Sequence, residues 1–172
     1  GAHARVGAVS GRRLVVEADG GARGNPGPAA YGAVVRDAAT GEVLAEVAQT
    51  LGITTNNVAE YRGLIAGLEA AAGIDPQAVV EARLDSKLVV EQLSGRWKIK
   101  NSALQSLALE ASRTMPRGHV TYRWVPRARN AHADRLLNAA LDTADGESPA
   151  AAETTEELAE PSDPPSRLAS WA

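Results

Sequence analysis

The sequence predicts an α/β domain, and three observations carry the prediction. Hydrophobic patterning alternates between short strand-like runs and longer helical stripes, in the order strand, strand, strand, helix, strand, two helices, strand, helix. The segment from Asp37 to Gly41 is a turn signal that joins the second and third strands as a hairpin. The later alternation of strands with helices suits parallel crossovers.

The elements follow in chain order. Leu14, Val15 and Val16 lie in the first strand, expected to end at Asp19 and break into the glycine- and proline-rich loop of DGGARGNPG. In TTNNVAEYRGLIAGLEAA, Asn56 or Asn57 is expected to cap a helix whose first turn holds Glu60 and whose buried stripe is Leu64, Ile65 and Leu68. The run AVVEARLDSKLVVEQL is a strand closed by Asp85 that passes into a helix near Ser86. Last comes VTYRWVPRARNAHADRLLNAAL: a strand with Val120, Tyr122 and Trp124 on one face, a short basic turn, and a helix bearing Asp134.

Asp19, Glu60, Asp85 and Asp134 therefore each stand near the end of an element. Each has a plain structural reading. Asp19 before two glycines suits a turn, Glu60 a capping box with Asn57, Asp85 a helix cap, and Asp134 a solvated acid near a positive helix end. Four such acids on separate elements make more sense together, converging on a pair of divalent cations. Phosphodiester hydrolysis needs such a site, because attack by water adds charge to a group that is already an anion, and bare carboxylates would repel it. Two hard cations roughly 4 Å apart can activate water on one side and stabilise the leaving oxygen on the other. Magnesium suits oxygen ligands and keeps its own waters.

From about Arg13 to Leu141 the chain resembles type 1 ribonuclease H (ribonuclease HI). The resemblance rests on the four acids in order, on DGGARGNPG, TTNNVAE and LDSK, and on NAHAD, with Asn130 and Asp134 at the family's spacing. It implies a ribonuclease H-like fold: a five-stranded mixed sheet, three antiparallel strands then two parallel, flanked by helices. It also implies an endonuclease that cuts the RNA strand of RNA/DNA hybrids, leaving 5′-phosphate and 3′-hydroxyl ends. Two Mg2+ ions would serve, with Mn2+ as a substitute. By this analogy Asp19 bridges both ions, Asp134 holds the one that activates water, and Glu60 with Asp85 holds the one near the leaving group.

Substrate choice should lie in the loops. The 2′-hydroxyl both donates and accepts, so the glycine loop backbone and the amides of Asn25, Asn56 and Asn57 can tell ribose from deoxyribose. The resemblance places Gly20, Ala22 and Asn25 along the RNA strand and Thr55 at a DNA-strand phosphate. Lys87 stands where other members often carry glutamine, and a lysine can meet a phosphate as a point charge. Asn130 and Arg129 complete the expected substrate-binding set.

Two departures from the better-known bacterial pattern stand out. Only Pro126, Arg127, Ala128 and Arg129 separate Val125 from Asn130, so the glycine-rich loop that carries a mobile histidine is missing. His132 lies inside the helix and reads as an ordinary, partly exposed residue; Arg129, or Arg127, is the expected support for phosphate binding or product release. Between Gln92 and Asn101 the long basic protrusion is also absent, leaving Arg96, Trp97, Lys98 and Lys100. Weaker, more salt-sensitive binding of hybrid follows from that loss. Trp97 reads slightly better as core than as a stacking residue, and Tyr31, Tyr122 and Trp124 read as packing residues.

Length and composition suit one domain with two flanks: an extension over 1–11, the domain over 12–141, and an acidic Pro/Glu/Ala-rich tail or linker over 142–172. The flanks disguise the domain's charge. Residues 1–141 hold 17 Lys and Arg against 13 Asp and Glu, a net +4, whereas 142–172 hold one Arg against eight acids, a net −7. The tail is expected either to lead into a fused C-terminal domain or to discourage non-specific nucleic-acid binding. No apolar stretch approaches the roughly 20 residues of a membrane span. There is no cysteine, so no disulfide framework or thiolate site, which fits the cytoplasm. The expected partners are RNA/DNA hybrid and, because the loop differs, double-stranded RNA; the expected state is a monomer, with no membrane contact.

Two alternatives come from other functional classes. One is a catalytically weak module that binds hybrid or double-stranded RNA, and the presence of all four acids argues against it. The other is a Rossmann-type nucleotide-binding domain, but DGGARGNPG does not fit GxGxxG and no GKS or GKT is present for a P-loop.

Overall fold

A computed structural model describes residues 11–145. Strands β1 (Arg13–Ala22), β2 (Gly27–Asp37) and β3 (Val43–Thr54) precede helix α1 (Asn56–Ile74), then β4 (Val79–Leu84), α2 (Lys87–Leu93), α3 (Ser102–Ser112), β5 (Val120–Trp124) and α4 (Ala131–Asp145). A short 3-10 turn, Arg127–Asn130, leads into α4. The predicted element order holds throughout. The five strands form one mixed sheet in the order β3-β2-β1-β4-β5. β1 to β3 pair antiparallel, while β4 and β5 run parallel to β1. The hairpin turn lies where expected: Gly41 donates its backbone N–H to Asp37 at 2.8 Å and takes a φ of 78°, which glycine adopts without cost.

The main core lies between one face of the sheet and helices α1 to α3. Leu14, Val16 and Ala18 of β1 and Val80, Ala82 and Leu84 of β4 meet Tyr61, Leu64, Ile65 and Leu68 of α1 there, with Val89, Val90, Leu104 and Leu107 closing it. Truncating a fully buried leucine such as Leu64 or Leu68 to alanine would cost about 2–5 kcal/mol. Helix α4 covers the opposite face, its Leu137 and Leu141 clustering with Ala30 of β2.

Several boundaries differ from the sequence reading for identifiable reasons. β1 continues past Asp19 to Ala22, and Gly20, Gly21 and Ala22 pair with Tyr31, Ala30 and Ala29. These glycines belong to the strand because α1 lies directly on it; a Cβ on Gly20 would come 2.1 Å from the Ala59 carbonyl oxygen. The cap of α1 is Thr55, whose hydroxyl oxygen accepts from the Val58 N–H, so neither Asn56 nor Asn57 caps the helix. Glu60 consequently lies beyond the first turn. Ser86 caps α2 as expected, through the Val89 N–H. α4 runs to Asp145, past the expected domain limit at Leu141, because the Arg23 guanidinium pairs with Asp142 at 2.8 Å and Asp145 at 3.1 Å. Residues 1–10 of the expected extension over 1–11, and the part of the expected tail beyond 145, lie outside the described residues. No helix among those described is long and apolar enough to cross a membrane.

Candidate metal centre

Asp19, Glu60 and Asp85 come together from β1, α1 and the end of β4, each offering a carboxylate oxygen within 4.8 Å of the other two. All three are buried, at 3, 2 and 5 % exposure. Their pocket is walled by Ala18, Leu84, Ser86 and Val89, so apolar carbon surrounds three acids. Crowding like charges in a low-dielectric site is unfavourable unless a cation is shared among them. The donor set is all oxygen, which fits a hard divalent ion such as Mg2+ and suits thiophilic metals poorly.

Close backbone approach assembles this trio. Gly20 lets the first turns of α1 rest on β1 immediately after Asp19, which brings Glu60 to the strand. Parallel pairing of β1 with β4, with Ala18 opposite Leu84, sets Asp85 just beyond β4 beside Asp19.

Asp134 is not a member of the trio; it stands on α4, which packs on the sheet face away from α1. Gly32 is the register partner of Asp19, and a Cβ on Gly32 would lie 2.4 Å from the Ala133 carbonyl oxygen. Residues paired across strands share a face. The backbone one residue before Asp134 therefore abuts the strand residue paired with Asp19, and Asp134 is half-buried in the first turn of α4.

Asn130 ties the two faces together. It is fully buried, and its side-chain amide donates to the Ala18 carbonyl at 2.8 Å and to the Asp85 carboxylate at 3.2 Å. The sequence reading placed Asn130 on substrate; in the structure its side chain is turned inward, onto Ala18 and Asp85. Asn56 too is fully buried, accepting the Ala22 N–H at 2.7 Å through its side-chain oxygen. Its own backbone N–H donates to the Asn25 side chain at 3.1 Å, so these residues lock the β1–β2 loop to the start of α1. Gly20 and Ala22 are buried strand residues, not loop residues. Asn25, Lys87 and Arg129 are exposed, and Thr55 and Asn57 half-buried, around the same end of the sheet.

Other expected roles change as well. Trp97 is 40 % exposed and lies outside the core that Leu93 and Ile99 join. Arg96 is engaged by Glu91, with its Nε 2.6 Å from the carboxylate, which holds the Glu91 carboxyl below its usual range. Tyr31 is buried and Tyr122 packs against the core, as read from sequence, whereas Trp124 is 48 % exposed and donates its indole N–H to the Asp85 carbonyl at 3.2 Å. His132 is more than a surface residue of α4: Arg36 donates to its Nδ1 at 2.9 Å and its Nε2 meets Glu46, while Arg36 also pairs with the buried Glu17 at 3.2 Å. These ties fasten the first turn of α4 across β1, β2 and β3. Sequence periodicity carries no trace of such cross-sheet partners.

Fold and site together define a class: a mixed α/β sheet that gathers buried carboxylates at one end for divalent cations. The Reverse transcriptase-like family model matches residues 17–140. The bifunctional protein Rv2228c of Mycobacterium tuberculosis is 56 % identical over 135 residues, covering 77 % of this chain and 36 % of that protein. Its solved N-terminal RNase H domain, fused to maltose binding protein, superposes with a TM-score of 0.71 at 52 % identity, covering 83 % of this chain and 98 % of that one. Ribonuclease HI of Halobacterium salinarum is 45 % identical over 140 residues, covering 78 % of this chain and 67 % of the relative. The structure of LC11-RNase H1 in complex with RNA/DNA hybrid gives a TM-score of 0.71 at 38 % identity, covering 76 % of this chain and 98 % of that one. The chain belongs to the ribonuclease H family. It spans about a third of the length of its mycobacterial relative.

Proposed function

We propose that the protein is an endonuclease that hydrolyses the RNA strand of RNA/DNA hybrids with two divalent metal ions, Mg2+ by preference and Mn2+ as a substitute. The carrying observation is the buried trio of Asp19, Glu60 and Asp85 on a ribonuclease H fold, with the backbone before Asp134 packed on the strand residue paired with Asp19. A solved relative in complex with RNA/DNA hybrid supports the substrate.

When bound, the ions supply a nucleophile near neutral pH and offset charge on the leaving oxygen. The chain's own residues do the rest. Asp19, Glu60 and Asp85 would hold one ion, and Asp19 with Asp134 would hold the other. Asn130 holds the Asp85 carboxylate in place. Exposed Asn25, Lys87 and Arg129, with Thr55 and Asn57, are assigned to the phosphate and sugar of the two strands; none reads base sequence. Gly20 and Ala22 sit behind them and shape the strand end. Double-stranded RNA is a second substrate to test, since the short turn at 126–129 leaves no histidine loop. The reading further includes a fused C-terminal domain in the longer protein, supported by the length of the mycobacterial relative, a monomeric domain and a cytoplasmic setting.

Product ends test the chemistry. Water-borne attack gives 5′-phosphate and 3′-hydroxyl ends on the cut RNA, whereas attack by the neighbouring 2′-hydroxyl would leave a cyclic phosphate. Sequencing-gel analysis of products from labelled hybrid distinguishes them, and cyclic ends would reject the metal-water mechanism.

A further inference from the structure

Trp124 holds a position that packing does not explain. In the parallel register of β4 and β5, Val120, Tyr122 and Trp124 lie opposite Val80, Ala82 and Leu84, which all face the main core. Val120 and Tyr122 pack there, but Trp124 is one pair further along, at the rim of the carboxylate pocket lined by Leu84 and Asp85. Its polar N–H is already satisfied by the Asp85 carbonyl, and nearly half of the side chain remains open. Lys87, at the start of α2, and Arg129, in the turn after β5, are exposed on either side in the chain. An open aromatic surface with its hydrogen bond made inward, at the rim of the carboxylate pocket, matches how single nucleotides are held: π-face stacking, tolerant of base identity.

We propose that Trp124 is a substrate-binding residue that stacks on the nucleotide next to the phosphate held over Asp19, Glu60 and Asp85. This rests on the hybrid-nuclease reading and adds the residue that fixes the strand's register at the site. The indole does two separable things: its N–H steadies Asp85, and its face receives the nucleotide.

The test uses the full chain with Trp97 and Trp171 replaced by phenylalanine, so that Trp124 is the sole indole. Asp19→Asn is added to leave hybrid uncut, and binding is followed in parallel by anisotropy of labelled hybrid. Quenching of Trp124 fluorescence along the binding curve is expected. In otherwise wild-type protein, Trp124→Leu should raise KM for hybrid roughly 10- to 100-fold. Trp124→Phe, which keeps a π face but loses the N–H, should recover most of that loss. Bound hybrid with unchanged fluorescence, or a phenylalanine variant as impaired as the leucine one, would overturn the stacking role and leave only the Asp85 contact. Failure of the parent to bind hybrid at all would overturn the nuclease reading and this inference together.

Discussion

Asn130 donates one side-chain amide to both the Ala18 carbonyl and the Asp85 carboxylate, at 2.8 and 3.2 Å, and so couples the start of α4 to two strands beneath the metal centre. Removing this amide takes one donor from a buried carboxylate. Asn130→Ala is expected to lower stability by about 1–3 kcal/mol and to weaken Mg2+ affinity. Asn130→Asp should lower stability in chelator further, because it adds a carboxylate beside Asp85. Urea melts with and without Mg2+ check this; equal metal affinity in all three proteins would rule out the positioning role.

Gly32 permits the contact between β2 and α4 next to Asp134. Gly32→Ala forces apart backbone that would leave its Cβ 2.4 Å from the Ala133 oxygen, an overpacking expected to cost about 1–3 kcal/mol. Cleavage should fall by more than the folded fraction does, because Asp134 is carried away with the helix. Activity normalised to folded protein, measured by circular dichroism, separates the two effects.

The three buried carboxylates repel one another without metal. Asp19→Asn is therefore expected to raise the melting temperature in chelator while abolishing the upward shift that Mg2+ gives the wild type by mass action. Thermal melts across a Mg2+ series test this, and an Asn variant still stabilised by Mg2+ to the wild-type extent would contradict it.

Asp37 and Asp75 fix stability at the acid end. Backbone N–H donation from Thr40, then the Arg12 side chain, holds the Asp37 carboxyl below its ordinary value near 3.8. Donation from the backbone of Arg12, then of Gln77, does the same for Asp75. Because these values are depressed in the folded state, the stabilisation is present above the unfolded value near 3.8. It is lost as pH falls through the folded ones. The urea midpoint of Asp75→Asn should therefore lie below wild type at pH 7 and approach it as pH falls below the unfolded value; a constant gap would show that Asp75 does not titrate in this way.

Much of the fold and site was legible because backbone-level signals wrote it. The alternation of apolar runs placed every element, the Asp37–Gly41 turn placed the hairpin, and the motifs around Asp19, Glu60 and Asp85 pointed to acids that the fold does bring together. What the sequence hid depends on partners distant along the chain. DGG reads as loop until α1 is laid on Gly20, and Asn130 and Asn56 read as surface amides until Ala18, Asp85 and Ala22 are found against them. Trp97 and Trp124 read as core because hydrophobicity alone does not say which strand end runs out of cover.

The central claim is that the carboxylate cluster hydrolyses RNA paired to DNA. End-labelled hybrid incubated with Mg2+, beside Asp19→Asn and matched single-stranded RNA, double-stranded RNA and duplex DNA, measures it directly. The predicted result is cutting of the RNA strand in hybrid by wild type, lost in the variant and in chelator, with duplex DNA intact. Tight binding of hybrid without cleavage in either Mg2+ or Mn2+ would contradict it and make the protein a hybrid-binding module.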